Sequence, residues 1–117
     1  MPPDAGVFLP LAPATLHILL ALAAEALHGY AIMQEVARQS EGRYKLGPGT
    51  LYDNLQRLLD QGLVQESSRP HRDDDPRRRY YRLNSLGRRV LAAEIARLET
   101  VVRDGRLLLN SAKPRRA

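Results

Sequence analysis

The hydrophobic residues of this chain change their spacing at Gly62, and this change restricts the possible folds more than any other feature. Before Gly62, four leucines recur at helical intervals: Leu51, Leu55, Leu58 and Leu59. The turn-forming run 47–50 precedes them, and Gly62 is a typical helix stop. After Gly62 come two short segments rich in β-prone residues, 63–67 and 79–83. The sequence therefore predicts a helix that leads into a β-hairpin, with the polar segment 69–78 as its tip.

Three more helices are predicted around this unit. Pro13 suits the first turn of a helix, and the helical spacing that follows predicts a first helix at about 13–26. A second helix is expected at about 30–39, and Asn84 is a good N-cap for a fourth. Three helices followed by a charged hairpin is the order of a winged helix-turn-helix. The predicted fold class is therefore mainly α with a small β-hairpin: a winged helix-turn-helix and a C-terminal dimerisation helix.

The chain of 117 residues is long enough for one hydrophobic core and too short for a separate substrate domain. The predicted organisation is a flexible N-terminal arm at 1–10, the winged helix-turn-helix domain at 11–83, the C-terminal helix at 84–110 and a disordered basic tail at 111–117. The apolar stretch 16–24 is far shorter than the roughly 20 residues that a bilayer requires, and no signal peptide is evident. We expect a cytoplasmic protein with no membrane partner.

Composition excludes several classes of function. Lysine and arginine outnumber the acidic residues by 18 to 13, and the net charge of +5 favours polyanions such as nucleic acid. The absence of cysteine excludes disulfides, a Cys-based zinc site and a thiolate nucleophile. His17, His28 and His71 lie on different predicted elements, and the acidic residues lack the spacing of metal ligands. The sequence therefore predicts neither an enzyme nor a metal or cofactor site.

The third predicted helix has a polar stripe that suits base recognition. If its leucines are buried, Thr50, Asn54 and Arg57 face outward together. Asparagine can pair with adenine and arginine with guanine, each contact contributing roughly 1–3 kcal/mol of discrimination. A solvated polar face is the alternative. Tyr52 either reaches DNA through its hydroxyl or packs against the second helix, and Asp53 either accepts from cytosine, pairs with Arg57 or points away.

The hairpin tip mixes both signs of charge. Three aspartates, 73–75, are expected to mark its exposed turn, and Arg72, Arg77 and Arg78 flank them. These arginines are expected to contact phosphates, although they are otherwise explained as solvated charges that balance the aspartates. One of the two adjacent tyrosines, Tyr80 or Tyr81, should belong to the core, and strand alternation does not say which.

The fourth predicted helix carries an apolar seam. Its members step by four, three, four and seven residues, and they are Leu91, Ile95, Leu98, Val102 and Leu109. Such a seam suits pairing with another helix. We expect it to form a homodimer interface, in which two third helices read half-sites about one DNA turn apart.

The chain resembles the PadR family of bacterial transcriptional regulators over about residues 11–96. The resemblance rests on Leu-Ala-Pro-Ala at 11–14, Leu-His-Gly-Tyr-Ala-Ile at 27–32, Leu-Gly-Pro-Gly-Thr-Leu-Tyr at 46–52, Arg-Leu-Leu at 57–59 with Gly-Leu at 62–63, and Arg-Arg-Tyr-Tyr-Arg-Leu at 78–83 with Leu-Gly at 86–87. It implies a winged helix, dimerisation through the C-terminal helix and repression at a palindrome-like operator. It also implies DNA contacts by Tyr30, Gly49, Thr50, Tyr52 and the arginines of the hairpin.

The functional prediction is thus a homodimeric, nucleoid-associated bacterial repressor that binds double-stranded DNA. The complete set of expected DNA contacts is Tyr30, Lys45, Gly49, Thr50, Tyr52, Asn54, Arg57, Arg72, Arg77 and Arg78. An alternative is a winged-helix module that binds proteins without specific DNA binding, with the apolar seam as its docking face. A further alternative adds an unknown small-molecule effector to the same DNA-binding protein.

Overall fold

The computed structural model describes residues 4–111, in which four α-helices and a small antiparallel sheet share one core. The helices are α1 (Pro13–Ala21), α2 (Gly29–Gln39), α3 (Pro48–Asp60) and α4 (Ser85–Asn110), and a 3-10 helix at Ala5–Phe8 precedes them. The strands are β1 (Leu27–His28), β2 (Val64–Ser67) and β3 (Tyr80–Leu83), with β3 in the middle of the sheet. This order confirms the predicted winged helix-turn-helix, in which residues 64–83 form the wing.

The core lies between the first three helices, the sheet and the first half of α4. Its fully buried side chains include Ile18, Leu19, Ile32, Val36, Leu51, Leu55, Leu58, Val64 and Val90. Leu51, Leu55 and Leu58 are each at most 1% exposed, as the helical spacing predicted. Since α3 is held by this apolar face, its opposite face is left to solvent.

The first helix is shorter than predicted because the chain after it enters the sheet. α1 ends at Ala21 and not near residue 26. Leu27 and His28 form β1, opposite Tyr81 and Tyr80 of β3. The backbone must leave the helix and become extended before Leu27 to reach this position. A strand of two residues is too short to show alternation, so the sequence pattern did not predict it.

The wing follows the predicted hairpin. β2 and β3 pair in register from Val64 opposite Leu83 to Ser67 opposite Tyr80. Gly62, with φ of 73°, adopts the left-handed conformation that ends a helix and favours glycine. The turn leads from α3 directly into β2, which fixes the wing beside α3.

Residues 4–10, which the sequence analysis assigned to a flexible arm, pack against the core. The 3-10 helix includes Phe8, and both Phe8 and Leu9 pack against the core. The backbone N–H of Leu11 donates to Oε2 of the buried Glu94 on α4 at 2.8 Å. Apolar contacts and a hydrogen bond to a carboxylate therefore hold the segment in place. Apart from Ser111, the predicted disordered tail lies outside the described residues.

Candidate nucleic-acid interface

The face of α3 that points away from the core is polar and includes two acidic residues. Its central positions are all exposed, and they are Gly49, Asp53, Gln56 and Asp60. Gln56 Nε2 donates to Asp60 Oδ1 at 3.0 Å. Because each residue turns the helix by about 100°, Tyr52 lies on one flank of this face and Arg57 on the other. The centre of the exposed face is therefore displaced from the predicted stripe of Thr50, Asn54 and Arg57.

Asn54 was wrongly assigned to that stripe. Its side chain is only 8% exposed, its Oδ1 accepts from Thr15 Oγ1 at 3.0 Å, and its Nδ2 donates to the Thr50 carbonyl at 2.8 Å. These bonds satisfy the amide at the edge of the core, which offsets its burial. The spacing contained a signal for this position, because Asn54 lies three residues after Leu51 and four before Leu58. Gln56 was missed although its neighbours on the helix face are polar.

The start of α3 is open to solvent. Lys45, Gly49 and Thr50 are all exposed. Gly47 is the N-cap and offers no side-chain hydrogen bond, so Thr50 is the third helical residue and not the cap. Backbone N–H groups at such a helix start, together with the positive end of the helix dipole, suit an anion.

A cavity of about 250 Å³ opens between α3, the start of α2 and the wing. We call it the arginine cavity, and its lining residues are His28, Gly29, Tyr30, Tyr52, Arg77, Arg78, Arg79 and Tyr81. Three consecutive arginines give it positive charge, and three tyrosines add aromatic surface and hydroxyl groups. His28 caps α2 at this point, since its Nδ1 accepts from the Ala31 N–H at 3.3 Å. Burial, with help from nearby Arg78, lowers the pKa of His28.

Tyr52 combines the two roles between which the sequence did not decide. It packs against the start of α2, where a Cβ on Gly29 would lie 2.4 Å from its hydroxyl oxygen. Yet the tyrosine is 51% exposed, and Tyr30 beside it is 61% exposed. The glycine at position 29 therefore lets Tyr52 rest on α2 and still present its hydroxyl to the arginine cavity.

Both wing tyrosines are buried, each at 6% exposure. Tyr81 belongs to the hydrophobic core and also lines the arginine cavity. Burial raises the pKa of its hydroxyl. Tyr80 packs edge-on against His28, and its hydroxyl donates to Asp73 Oδ2 at 2.5 Å. The sequence did not decide which of the two tyrosines is buried. Both are, Tyr80 against polar partners and Tyr81 against apolar ones.

Asp73 does not mark an exposed turn, contrary to expectation. It is 8% exposed and accepts three hydrogen bonds: from the Tyr80 hydroxyl, from the Asp75 N–H at 3.0 Å and from Arg78 Nη1 at 3.4 Å. The Tyr80 hydrogen bond is the main reason that the pKa of Asp73 is lowered. Asp74 is exposed, as predicted for all three aspartates.

The structure brings some of the predicted contacts together and separates others. Tyr30, Tyr52, Arg77 and Arg78 meet at the arginine cavity. Arg57 lies on the other flank of α3, in a hollow formed with Phe8, Leu11 and Thr15 among others. Arg72 lies 3.7 Å from Glu25 in an exposed ion pair and does not line the cavity.

The second half of α4 exposes apolar residues. Of the predicted seam, Ile95, Val102 and Leu109 are 40%, 49% and 81% exposed, and Leu98 is half-buried. Leu91 was wrongly placed in this seam, because it is 6% exposed and packs in the core of its own chain. Further exposed apolar residues of this half lie outside the predicted seam, and they are Val101, Leu107 and Leu108.

Residues 4–111 lack two other kinds of feature. No helix there is long and apolar enough to cross a membrane. No group of three or more potential metal ligands was found within the same range.

Comparison with known proteins finds a matching family model and a related protein. The family model described as the transcriptional regulator PadR-like family matches residues 18–93. The transcriptional regulator Rv3488 of Mycobacterium tuberculosis is 37% identical over 89 residues, which are 76% of this chain and 78% of that protein.

Solved structures with the same fold include two PadR proteins. A PadR family transcription regulator from Clostridium difficile superposes with a TM-score of 0.67 at 23% identity, covering 84% of this chain and 99% of the other. Bacillus subtilis PadR, solved in complex with operator DNA, gives a TM-score of 0.62 at 20% identity, covering 74% of this chain and 48% of the other.

Proposed function

Because the chain belongs to the PadR-like family of transcriptional regulators, we propose that it is a repressor that binds a palindromic DNA operator as a homodimer. One observation carries this proposal: Tyr52 belongs both to the flank of the exposed α3 face and to the arginine cavity. A surface that attracts phosphate therefore adjoins a helix face that can reach bases. The complex of Bacillus subtilis PadR with operator DNA supports this use of the fold. Family membership also agrees with the prediction of a regulator and not an enzyme.

The exposed centre of α3 is the part that we propose reads bases. Gln56 can form two hydrogen bonds to adenine, and Asp53 can accept from the amino group of cytosine. Thr50 and Tyr52 would lie against the neighbouring backbone. Gln56 replaces Asn54 in this role, because the amide of Asn54 already has its partners inside the protein.

The arginine cavity is the part that we propose holds a DNA phosphate. Arg77 and Arg78 would supply the charge, and the hydroxyls of Tyr30 and Tyr52 would donate hydrogen bonds from the other side. Lys45 stands exposed before α3 and would contact the backbone near the start of that helix. Such contacts fix the orientation of the protein on the duplex without reading sequence.

The second half of α4 is proposed to join two copies. Its exposed valines and leucines are poorly suited to water, and a partner helix would cover them. A two-fold dimer would present two α3 helices about 34 Å apart, or a multiple of that distance, to the two halves of a palindrome. Control of binding by a small-molecule effector stays a prediction.

The test is a binding titration of the purified protein at several salt concentrations. A duplex from the region upstream of its own gene is compared with a scrambled duplex of equal length. We expect the upstream duplex to bind ~10³-fold or more tightly at physiological salt, with a slope that reflects several released counterions. Equal and weak binding to both duplexes would instead favour the protein-interaction module.

Two matched pairs of variants locate the contacts. Gln56→Ala should relax the preference at one base pair by about 1–3 kcal/mol, whereas Asn54→Ala should lower the stability of the fold.

Arg78→Ala should weaken the binding of all duplexes alike and reduce the salt slope by about one. Arg38→Ala removes the same charge near the end of α2, where Arg38 pairs with Glu35, and should change binding little. Equal effects of Arg78→Ala and Arg38→Ala would rule out the arginine cavity as a phosphate site.

A further inference from the structure

The tip of the wing holds carboxylates against the arginines that are proposed to bind DNA. Resting on the proposed function, we propose that Asp75 is an internal substitute for a DNA phosphate. It occupies Arg77 and Arg78 in the unbound protein and so weakens the binding of every duplex.

Asp73 is held firmly within the wing tip by its hydrogen bonds. It is nearly buried, and its Oδ2 is bonded to the hydroxyl of Tyr80 in the central strand of the sheet. Its Oδ1 accepts from the backbone N–H of Asp75 at 3.0 Å. The position of Asp75 is therefore set by the fold, because its backbone is tied through Asp73 to the sheet.

Asp75 contacts both arginines. Its Oδ1 accepts from the Arg77 backbone N–H at 3.0 Å and from Arg77 Nε at 3.3 Å. Its Oδ2 lies 3.9 Å from Arg78 Nε. A carboxylate presents two anionic oxygens to a guanidinium group much as a phosphate does. Asp75 thus places a phosphate-like group against two of the arginines that line the arginine cavity.

The exposure of Arg77 and Arg78 allows a DNA phosphate to replace Asp75 as their partner. The Arg77 side chain is 90% exposed and that of Arg78 is 49% exposed, whereas the Asp75 side chain is 28% exposed. DNA can therefore reach the two arginines from solvent, whereas the carboxylate is less accessible. An exposed ion pair is weak and yields to a phosphate, but the arginines must give up their contacts with Asp75 first, and that loss subtracts from the affinity for every duplex.

Asp74 provides the natural contrast. It carries the same charge one residue away and is exposed. Within residues 4–111 it forms no ion pair with either arginine, since the ion pairs of the wing tip involve Asp73 and Asp75. If the effect came from net charge alone, neutralising Asp74 or Asp75 would have the same result.

The experiment compares Asp75→Asn with Asp74→Asn and the wild type in salt titrations on the upstream and scrambled duplexes. Asparagine keeps an Oδ1 acceptor for the Arg77 N–H, so the turn should be preserved. We expect Asp75→Asn to tighten both duplexes by about 3- to 10-fold at low salt and to steepen the salt slope by about one. Asp74→Asn should change binding by less than about twofold.

A double-mutant cycle tests the mechanism directly. In a background that carries Arg77→Gln and Arg78→Gln, Asp75→Asn should no longer tighten binding, because the groups that it releases are gone. A gain that persists in this background overturns the proposal. An equal gain from Asp74→Asn in the otherwise wild-type protein overturns it too.

The outcomes also separate this proposal from the proposed function. If the protein prefers its upstream duplex but Asp75→Asn does not tighten binding, only the role of Asp75 is wrong. If no sequence preference exists and Asp75→Asn still tightens binding, the role of Asp75 stands and the specific regulator does not. If neither wild type nor Asp75→Asn binds any duplex at low salt, both proposals fail.

Discussion

The two halves of α4 have similar sequence patterns and opposite surroundings. In the first half, residues 85–94, the apolar side chains of Val90 and Leu91 are buried in the core of the same chain. In the second half, residues 95–110, apolar side chains stand in solvent, and Leu109 reaches 81% exposure. One continuous helix therefore joins a half whose apolar side chains are covered by the same chain to a half whose apolar side chains are exposed.

Periodicity therefore predicts an apolar face but not the neighbour that covers it. Leu91 and Val102 belong to one seam by spacing, yet only Leu91 has a neighbour in its own chain. Substitutions in the first half should therefore change the stability of the protomer. Those in the second half should change assembly, and through assembly the binding of a palindrome.

The largest effect is expected from Val102→Asp, which would break the proposed assembly of the second half. A carboxylate at this half-exposed position should be incompatible with a covered apolar interface, so the protein should become monomeric. Operator affinity should then fall by about 10³-fold, equivalent to about 4 kcal/mol, because a single half-site gives little specificity. Light scattering and operator titration measure the two effects.

Thr100→Asp is the control for that substitution. It introduces the same charge in the same turn, on the opposite face of α4, where the residue is already exposed. This variant should remain dimeric and bind the operator normally. A dimer that survives Val102→Asp would place the interface elsewhere on the protein.

In the first half, Gly87→Ala should lower the stability of the protomer by about 3 kcal/mol. The added Cβ would lie 2.1 Å from the Leu63 carbonyl oxygen, and backbone cannot swing aside as a side chain can. Urea denaturation at a fixed protein concentration would measure the loss of stability.

Gly29→Ala provides the contrast to Gly87→Ala, because its Cβ would meet the end of the Tyr52 side chain, which can move. It should cost less stability but displace a proposed DNA contact.

How far the sequence predicts this molecule depends on whether the deciding contacts are local. Helical spacing and turn residues predicted α3, the wing and the Asn84 cap, because each depends on neighbours a few residues away. The burial of Asn54 follows from its place between Leu51 and Leu58, but its partner Thr15 lies 39 residues earlier and could not be predicted from local spacing. Asp73 was misplaced because its partner Tyr80 lies across the folded tip of the wing.

A smaller effect is expected from Glu94→Gln, at the boundary between the two halves. Glu94 is 1% exposed and accepts from Arg97 Nε at 2.5 Å and from the Leu11 N–H at 2.8 Å. The Arg97 hydrogen bond is the largest cause of its lowered pKa. Losing the charge should cost about 1–2 kcal/mol of unfolding free energy at neutral pH.

The pH dependence of that loss has a definite sign. Because the pKa of Glu94 is lower in the folded state, its stabilisation is present above the ordinary carboxyl pKa and is lost as pH falls through the folded value. The difference between wild type and Glu94→Gln should therefore shrink below about pH 4. Glu99→Gln, at an exposed position in the second half, should show little difference at either pH. If the difference in unfolding free energy between wild type and Glu94→Gln stayed constant with pH, the charge of Glu94 would not contribute to stability.

The smallest effect, and opposite in sign to that of Gly87→Ala, is expected from Gly105→Ala in the second half. A Cβ at Gly105 meets nothing within 4 Å, and alanine favours a helix interior over glycine by about 1 kcal/mol. In the Val102→Asp background, which removes assembly, amide exchange around residue 105 should slow by up to about fivefold. Global unfolding should stay unchanged, because this half does not contribute to the core. If Gly105→Ala destabilised the protomer as Gly87→Ala is expected to do, the second half would have to pack within its own chain, and the contrast between the halves would be lost.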